Sequence, residues 1–410
     1  MLSERFSPDL GGVARSASRT AAAISMQGWQ VHVVAWTKTL PPGQLETEER
    51  SDGVIVHRVG LFSNWDYSMQ HTTNVLTWLH ADVGFKAVWG HYLFPAGYMA
   101  VLFAKTCGLP CTVSARGNDV DRLMFPPGDF ARLLWTVERA DIVSSVSEDL
   151  ARKIRILSPQ TCVEVLANVV DTTVFQLCAA ATESGLRSEL GIQPGEVVLG
   201  FSGELRHKKG LPFLLAALAE VRESRACCLL VIGVIRPRER AHLATFAIEC
   251  PEAVDRIIVT GHLDDPADVA NHLHLCDAVL QPSVWDGLPN SILEAMACGK
   301  IVIASDAGGI PEAIHHRENG FAVPIPQLHN LGTATPCHAD IVPEYSILTG
   351  RFTLPRLGSG GVLSLRKSSR STPLRMTQIF LASTPRLTRC SAFTQLTVTI
   401  RSAASRHTCS

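Results

Sequence analysis

Apolar residues in this chain fall into short, nearly unbroken runs separated by stretches of helical spacing. The runs lie at 30–36, 87–91, 111–115 and about 140–146, and then at 197–203, 228–232, 256–260, 276–280 and 301–304. Strands covered on both faces read as continuous apolar stretches rather than as an alternation. Between them, helices are expected at about 14–28, 98–107 and 148–157, through Leu218, and from about 290 to 298. Strand, helix and strand repeating in this way predict parallel sheets and an α/β fold, because parallel neighbours need a crossover between them. The longest apolar run, 227–235, is bounded by Arg225 and Arg236. It is well short of the roughly 18 residues needed to span a membrane, so it reads as a core strand.

Composition narrows the picture. A chain of 410 residues with 46% hydrophobic and 18% charged residues can build about two ordinary domains. A net charge of −1 gives no electrostatic reason to expect nucleic acid as a partner. The opening residues lack a charged segment followed by an apolar one, so no export signal is read there. The twelve cysteines form no C-x-x-C pair, and several, such as Cys111, Cys227, Cys228 and Cys276, sit inside apolar runs. They read as reduced core residues of a cytoplasmic protein. Neither Cys nor His shows ligand spacing, so no metal is expected.

The richest stretch is Pro282-Ser283-Val284-Trp285-Asp286-Gly287-Leu288-Pro289-Asn290-Ser291-Ile292-Leu293-Glu294-Ala295-Met296-Ala297-Cys298-Gly299. Pro282 ends a strand, because it cannot donate to a ladder. Gly287 and Pro289 make a tight loop, Asn290 or Ser291 could cap a helix, and Gly299 stops it. A second strand follows, so the loop lies at the carboxyl ends of parallel strands, where such sheets bind ligands. Loop amides and the positive helix end suit an anion such as phosphate. Asp286 and Glu294, eight residues apart, flank that seat and could each accept hydrogen bonds from sugar hydroxyls.

This stretch resembles the signature of the retaining, nucleotide-sugar-dependent glycosyltransferases of family 4 (glycosyl transferases group 1), which have the GT-B fold. In that family the first acid is usually Glu. The shorter Asp286 draws the carboxylate back by about one methylene, worth on the order of 1 kcal/mol where positioning is tight, and this bears on sugar preference. The resemblance implies two Rossmann-like parallel-sheet domains facing a cleft and a retaining hexosyltransferase acting on a hydroxyl acceptor. It places Asp286 and the Gly287, Leu288, Pro289 and Asn290 loop at the sugar and Glu294 at the ribose.

Further motifs extend the resemblance over about residues 3–324. Gly11-Gly12 matches a loop near the donor diphosphate, with Gly12 opening to the ligand. Arg116-Gly117-Asn118-Asp119 resembles the family's His/Arg-Gly-x-Asp element, which implies that Arg116 stabilises charge on the leaving phosphate. His91 reads as a core or loop histidine. Asn168-Val169-Val170-Asp171 stands where the family has Asn-Gly-Val-Asp. After the strand at 197–203, Lys209-Gly210 matches the family's Lys-Gly, but Glu204 occupies its usual arginine position; Arg206 on the same loop is the expected substitute. Arg206 and Lys209 would then hold the diphosphate without a cofactor or metal.

The expected domains are 1–172 on the acceptor side, 173–326 binding the nucleotide-sugar, and an irregular tail over 327–410. The chain opens abruptly, with little more than Met1 and Leu2 for a first strand, which is therefore expected to be shortened. The tail holds only Asp340 and Glu344 as acids against ten basic residues, and reads as disordered or out of frame. A basic tail could instead meet acidic lipid at the inner membrane surface. The expected partners are a nucleotide-sugar and a glycan, lipid-linked or small-molecule acceptor. Two rival readings stay open: a sugar-nucleotide epimerase of the same architecture, and a catalytically impaired or non-catalytic nucleotide-sugar-binding remnant. A nicotinamide dehydrogenase is disfavoured, since no Gly-x-Gly-x-x-Gly opens a helix.

Overall fold

The computed structural model describes residues 1–9, 11–121, 127–177, 183–332 and 362–363, and these divide between Ala167 and Asn168 into two units. The first unit is built on β1 (Leu2–Ser3), β2 (Val31–Thr37), β3 (Leu45–Glu49), β4 (Val54–Gly60), β5 (Val88–His91), β6 (Cys111–Ala115), β7 (Ile142–Ser145) and β8 (Val163–Val165). Their order across the sheet is β3-β4-β2-β1-β5-β6-β7-β8, parallel throughout except that β3 runs against β4 at the edge.

The first strand has two residues and lies at the centre of the sheet. Leu2 pairs with Val34 and Gly90, and Ser3 with Ala35 and His91. Both residues are fully buried, so two residues close the middle of the sheet. The order of strands reverses between β1 and β5, and the loops leaving such a switch point are where open parallel sheets bind ligands.

The hairpin of β3 and β4 and the helix Trp65–Val83 are not expected from the hydrophobic pattern. Four of the five residues of β3 are exposed, so no apolar run marks it. Asn64 caps the helix by accepting from the Asp66 amide at 2.8 Å, but Tyr67 and Trp78 face solvent and blur its stripe.

Under this edge, His32 and His57 stack with ring centroids 5.2 Å apart and share a 2.9 Å contact between Nδ1 and Nε2. Thr47 Oγ1 meets His57 Nδ1 at 3.0 Å. Burial first, then the neighbouring His32, pushes His57 down to about 4. A depressed imidazole stabilises the folded state fully above its unfolded pKa of about 6.5, and that stabilisation is lost as the pH falls toward 4, by up to roughly 3 kcal/mol. Thermal melts of the chain are therefore expected to weaken between pH 7 and 4, with His57→Gln flattening that slope. An unchanged slope in the variant would remove His57 as the cause.

The second unit carries β10 (Val197–Ser202), β11 (Cys227–Ile232), β12 (Ile257–Val259), β13 (Ala278–Gln281), β14 (Ile301–Ser305) and β15 (Phe321–Val323), all parallel, in the order β12-β11-β10-β13-β14-β15. Ahead of them, β9 (Val170–Asp171) pairs antiparallel with β16 (Val362–Leu363). Every residue of β11 and β14 is buried, which is why these strands read as unbroken apolar runs. Here the switch point falls between β10 and β13.

Leu328 and Leu331 belong to this core, each 1% exposed, and the short helix Ile325–Asn330 delivers them. Residues 327–332, which the sequence groups with the irregular tail, thus belong to the second unit's core, because a six-residue 3-10 helix is too brief for a helical period to show. From 333 on, apart from 362–363, the tail lies outside the described residues.

Candidate active site

The second unit's site grows from the loops that leave β10 and β13. After β10 the chain passes Gly203 to Arg206 and makes the single 3-10 turn His207–Lys209, closed by Gly210 in the left-handed region at φ 84°. A Cβ on Gly210 would lie 2.1 Å from the Pro282 carbonyl oxygen, so the turn is pressed directly against the loop after β13. The Val284 amide donates to the Lys208 carbonyl at 2.9 Å and fastens the two together. Gly308, at φ 54°, brings the loop after β14 equally close, since a Cβ there would fall 1.8 Å from the Asp286 carbonyl oxygen.

This packing joins two residues expected to act on different parts of a ligand. Lys209 Nζ donates to Asp286 Oδ2 in a tight ion pair, with both side chains less than a fifth exposed. Asp286 also accepts from Ser283 Oγ at 3.3 Å and from the Gly287 amide at 3.1 Å. Burial by itself would push its carboxyl up, but Lys209 and Lys208 together with these hydrogen bonds hold it below the ordinary carboxylate range. Asp286 is thus an ionised acceptor, suited to hydroxyl hydrogens and not to donating a proton.

Beneath the loop runs a buried polar chain. Gln281 Nε2 donates to Ser283 Oγ at 2.9 Å, Ser291 Oγ donates to Gln281 Oε1 at 3.1 Å, and Ser305 Oγ donates to the Ser283 carbonyl at 2.5 Å. Neither Asn290 nor Ser291 caps the helix Asn290–Ala297 as the sequence suggests; Pro289 holds the N-cap position with no side-chain bond. Both lie inside the helix as its first two residues, and Ser291 Oγ is engaged with Gln281. Pro289 has no N–H, and the Gly287 amide is directed at Asp286, which leaves Leu288 and Asn290 as backbone donors at the helix start. Asn168 Nδ2 donates to the Leu288 carbonyl at 2.6 Å, giving the first residue of the Asn-Val-Val-Asp motif a positioning role. Glu294 lies one turn into the helix and is 2% exposed.

Arg206 comes close to Glu204, with 3.7 Å between Nη1 and Oε2. A second cation that sequence reasoning did not single out is more firmly placed: Arg236 grips Glu204 through Nε at 2.5 Å and Nη2 at 2.9 Å. The loops after β10 and β11 run side by side to bring this about, through Leu205 amide to Val234 carbonyl at 2.8 Å and Arg236 amide to Leu205 carbonyl at 3.2 Å. Glu204, in the family's usual arginine position, therefore organises Arg206 and Arg236 around itself. The only hint in the sequence is an arginine just past an apolar run.

Gly12 and Arg116 belong to the first unit. Gly11 stands at φ 116° ahead of the helix Gly12–Met26, and a Cβ on Gly12 would meet nothing within 4 Å. Arg116 Nη2 donates to Ser16 Oγ in that helix's first turns. Burial draws the guanidinium down to about 10, with Asp119 opposing, so it keeps its charge at neutral pH. Asp119 is fully buried and accepts from the amides of Leu93, Arg116 and Gly117 at 2.8–3.1 Å. The aspartate of the Arg-Gly-x-Asp element is thus a bracket for its own turn, tied to the loop after β5. His91, fully buried at the end of β5, is a core residue, as its sequence context suggests.

Each unit is an α/β domain on a largely parallel sheet, and the second carries cation and carboxylate side chains on the loops at its switch point; this is the GT-B class of fold. Residues 11–168 match the glycosyl transferase 4-like domain and residues 196–334 match glycosyl transferases group 1. The chain belongs to this glycosyltransferase family. The alpha-maltose-1-phosphate synthase of Mycolicibacterium smegmatis is 28% identical over 191 residues, 46% of this chain and 49% of that protein. The N-acetyl-alpha-D-glucosaminyl L-malate synthase of Bacillus anthracis is 24% identical over 241 residues, 56% of this chain and 59% of that protein. The chain thus spans about half the length of these curated relatives. Anabaena HepE, crystallised with UDP-glucose, shares the fold at a TM-score of 0.68 and 18% identity, over 86% of this chain and 94% of that one. Among the described residues, no helix is long and apolar enough to cross a membrane.

Proposed function

We propose that this chain transfers a hexose from a nucleoside-diphosphate sugar to a hydroxyl acceptor, with retention of configuration and without a metal ion in the reaction. The observation that carries this reading is the Lys209–Asp286 pair at the β10/β13 switch point, a cation and an ionised carboxylate on adjoining loops beside a helix start. On donor binding, Lys209, Arg206 and Arg236 neutralise diphosphate oxygens, a task that fixed cations perform as well as a metal. Asp286, with the Leu288 and Asn290 amides, accepts and fixes sugar hydroxyls, while Glu294 accepts from the ribose. Arg116 stabilises the leaving phosphate, whose oxygen takes the acceptor's proton. The relatives' names support transfer of a sugar, since both describe synthases of sugar products. A glycan or lipid-linked acceptor, and residence in the cytoplasm or at the inner membrane surface, are parts of the same proposal.

The test is the anomeric proton coupling of the product formed from a defined α-linked nucleotide-sugar, read by NMR in EDTA. An α-product formed without metal is expected; a β-product, or activity restored only by Mn²⁺, would overturn the corresponding part. Release of a rearranged nucleotide-sugar with no acceptor present would favour an epimerase. Glu294→Ala is expected to weaken nucleotide affinity about 10-fold or more, a charge-assisted hydrogen bond being worth roughly 1.5–3 kcal/mol. Asp286→Asn should leave that affinity nearly unchanged and lower turnover instead. Equal loss of affinity in both variants, measured by calorimetry, would remove this division of roles.

A further inference from the structure

We propose that His207, Glu239 and His242 form a binding site for a divalent ion of the zinc class, on the outer side of the cation loops and separate from the transfer chemistry. The three side chains offer one ligand atom each, and these atoms all lie within 4.8 Å of one another. Two imidazoles and one carboxylate are a donor set that zinc accepts, with a fourth position left to water. His207 opens the 3-10 turn His207–Lys209, Glu239 ends the turn Pro237–Glu239, and His242 lies in the first turn of the helix Arg240–Glu249.

The sequence conceals this set because His207 is far from the other two along the chain. The fold joins them through the paired loops after β10 and β11, where Leu205 bridges Ile235 and Arg236 grips Glu204. Glu239 supplies the fixed donor. It is 3% exposed, yet its two ion-pair contacts are longer than charged hydrogen bonds, 3.5 Å from Arg238 Nε and 3.8 Å from His242 Nε2. Glu239 is thus held in place by its backbone and packing, while among the described residues no short hydrogen bond from another side chain to its carboxylate competes with an ion. The rings of His207 and His242 lie 5.5 Å apart, tilted by 30°, and both are exposed and free to turn. Four-coordinate zinc at about 2.0–2.2 Å from its ligands holds them roughly 3.4 Å apart, so from separations of up to 4.8 Å the site closes by up to about 1.4 Å through rotation of these two rings. An ion bound there would staple the two cation-bearing loops together two residues from Lys209.

Co²⁺ and Zn²⁺ titrations of the full chain test this. The expected result is one Co²⁺ per chain with the d–d absorption of a four-coordinate ion, displaced by Zn²⁺. His207→Ala and His242→Ala should each weaken binding at least about 10-fold, and Glu239→Gln should do so with both imidazoles in place. Melting of each variant in EDTA at the wild-type temperature would show that the fold is intact. A variant that melts early is replaced by His→Gln at the same position. Binding that persists in the two histidine variants, or that carries thiolate-to-cobalt charge transfer, would place the ion on cysteines and overturn the proposal. So would the absence of binding at about 100 μM metal.

Discussion

Lys209→Ala is expected to lower kcat/KM about 10²–10³-fold, the loss seen when one preorganised donor to developing charge is removed. The substitution acts twice. It removes a cation from the diphosphate, and it leaves the Asp286 carboxylate, whose side chain is 14% exposed, without its direct partner. Breaking one side of a buried pair costs about 3 kcal/mol in stability, so the loop after β13 should also loosen. Asp286→Ala should cost a similar amount from the other side. Because the two groups are in contact, the double variant should be little worse than either single one, and a cycle measured in kcat/KM will show it. Fully additive losses would mean that the pair does not act as a unit. With Asp286 held below the ordinary carboxylate range, the pH profile of the wild type should show no titration of this group between pH 5 and 8.

Gly308→Ala should have the largest effect of any single methyl group in the second unit. At φ 54° a side chain is already strained, and the new Cβ would sit 1.8 Å from the Asp286 carbonyl oxygen, far closer than non-bonded atoms can approach. The backbone of one loop must move, and the Gly309 amide to Gly287 carbonyl bond at 2.8 Å must move with it. A loss of about 3 kcal/mol or more is expected. Activity should fall beyond what the change in folded fraction explains, because Asp286 and Gly287 lie on the displaced strip. Gly210→Ala, blocked by Pro282, is the matching change on the Lys209 side. Gly12→Ala serves as the contrast for stability, since a Cβ there meets nothing within 4 Å. Chemical denaturation and assay of the same preparations decide it; a Gly308→Ala protein as stable and active as wild type would show that the loops do not pack as described.

Much of this arrangement is legible in the residues. β11 and β14 are buried on both faces, so their apolar runs mark them without ambiguity. The helices Tyr98–Cys107 and Glu148–Leu157 follow directly from their spacing, and for the second from the Ser147 cap. The loop 282–290 is set by its own Pro and Gly residues. What the sequence does not reveal depends on residues that are distant along the chain. Glu204 looks like a damaged position until Arg236 arrives from the next loop. Lys209 and Asp286 look like separate ligands to separate groups until Gly210 and Gly308 let their backbones close. The edge strand β3 and the helix Trp65–Val83 escape notice for a different reason: edges and solvent-facing aromatics carry little of the burial that makes a pattern.

The proposed function stands or falls with binding of a nucleoside-diphosphate sugar by the second unit through fixed cations and Glu294. Calorimetric titration of the full chain with a panel of nucleoside diphosphates and their sugars, in EDTA, tests it most directly. The expected result is saturable, metal-free binding of at least one nucleotide at micromolar to millimolar concentration, weakened about 10-fold or more by Lys209→Ala and by Glu294→Ala in proteins that still melt cooperatively. Nucleotide binding that survives both substitutions undiminished, or that appears only when a divalent metal is supplied, would contradict it.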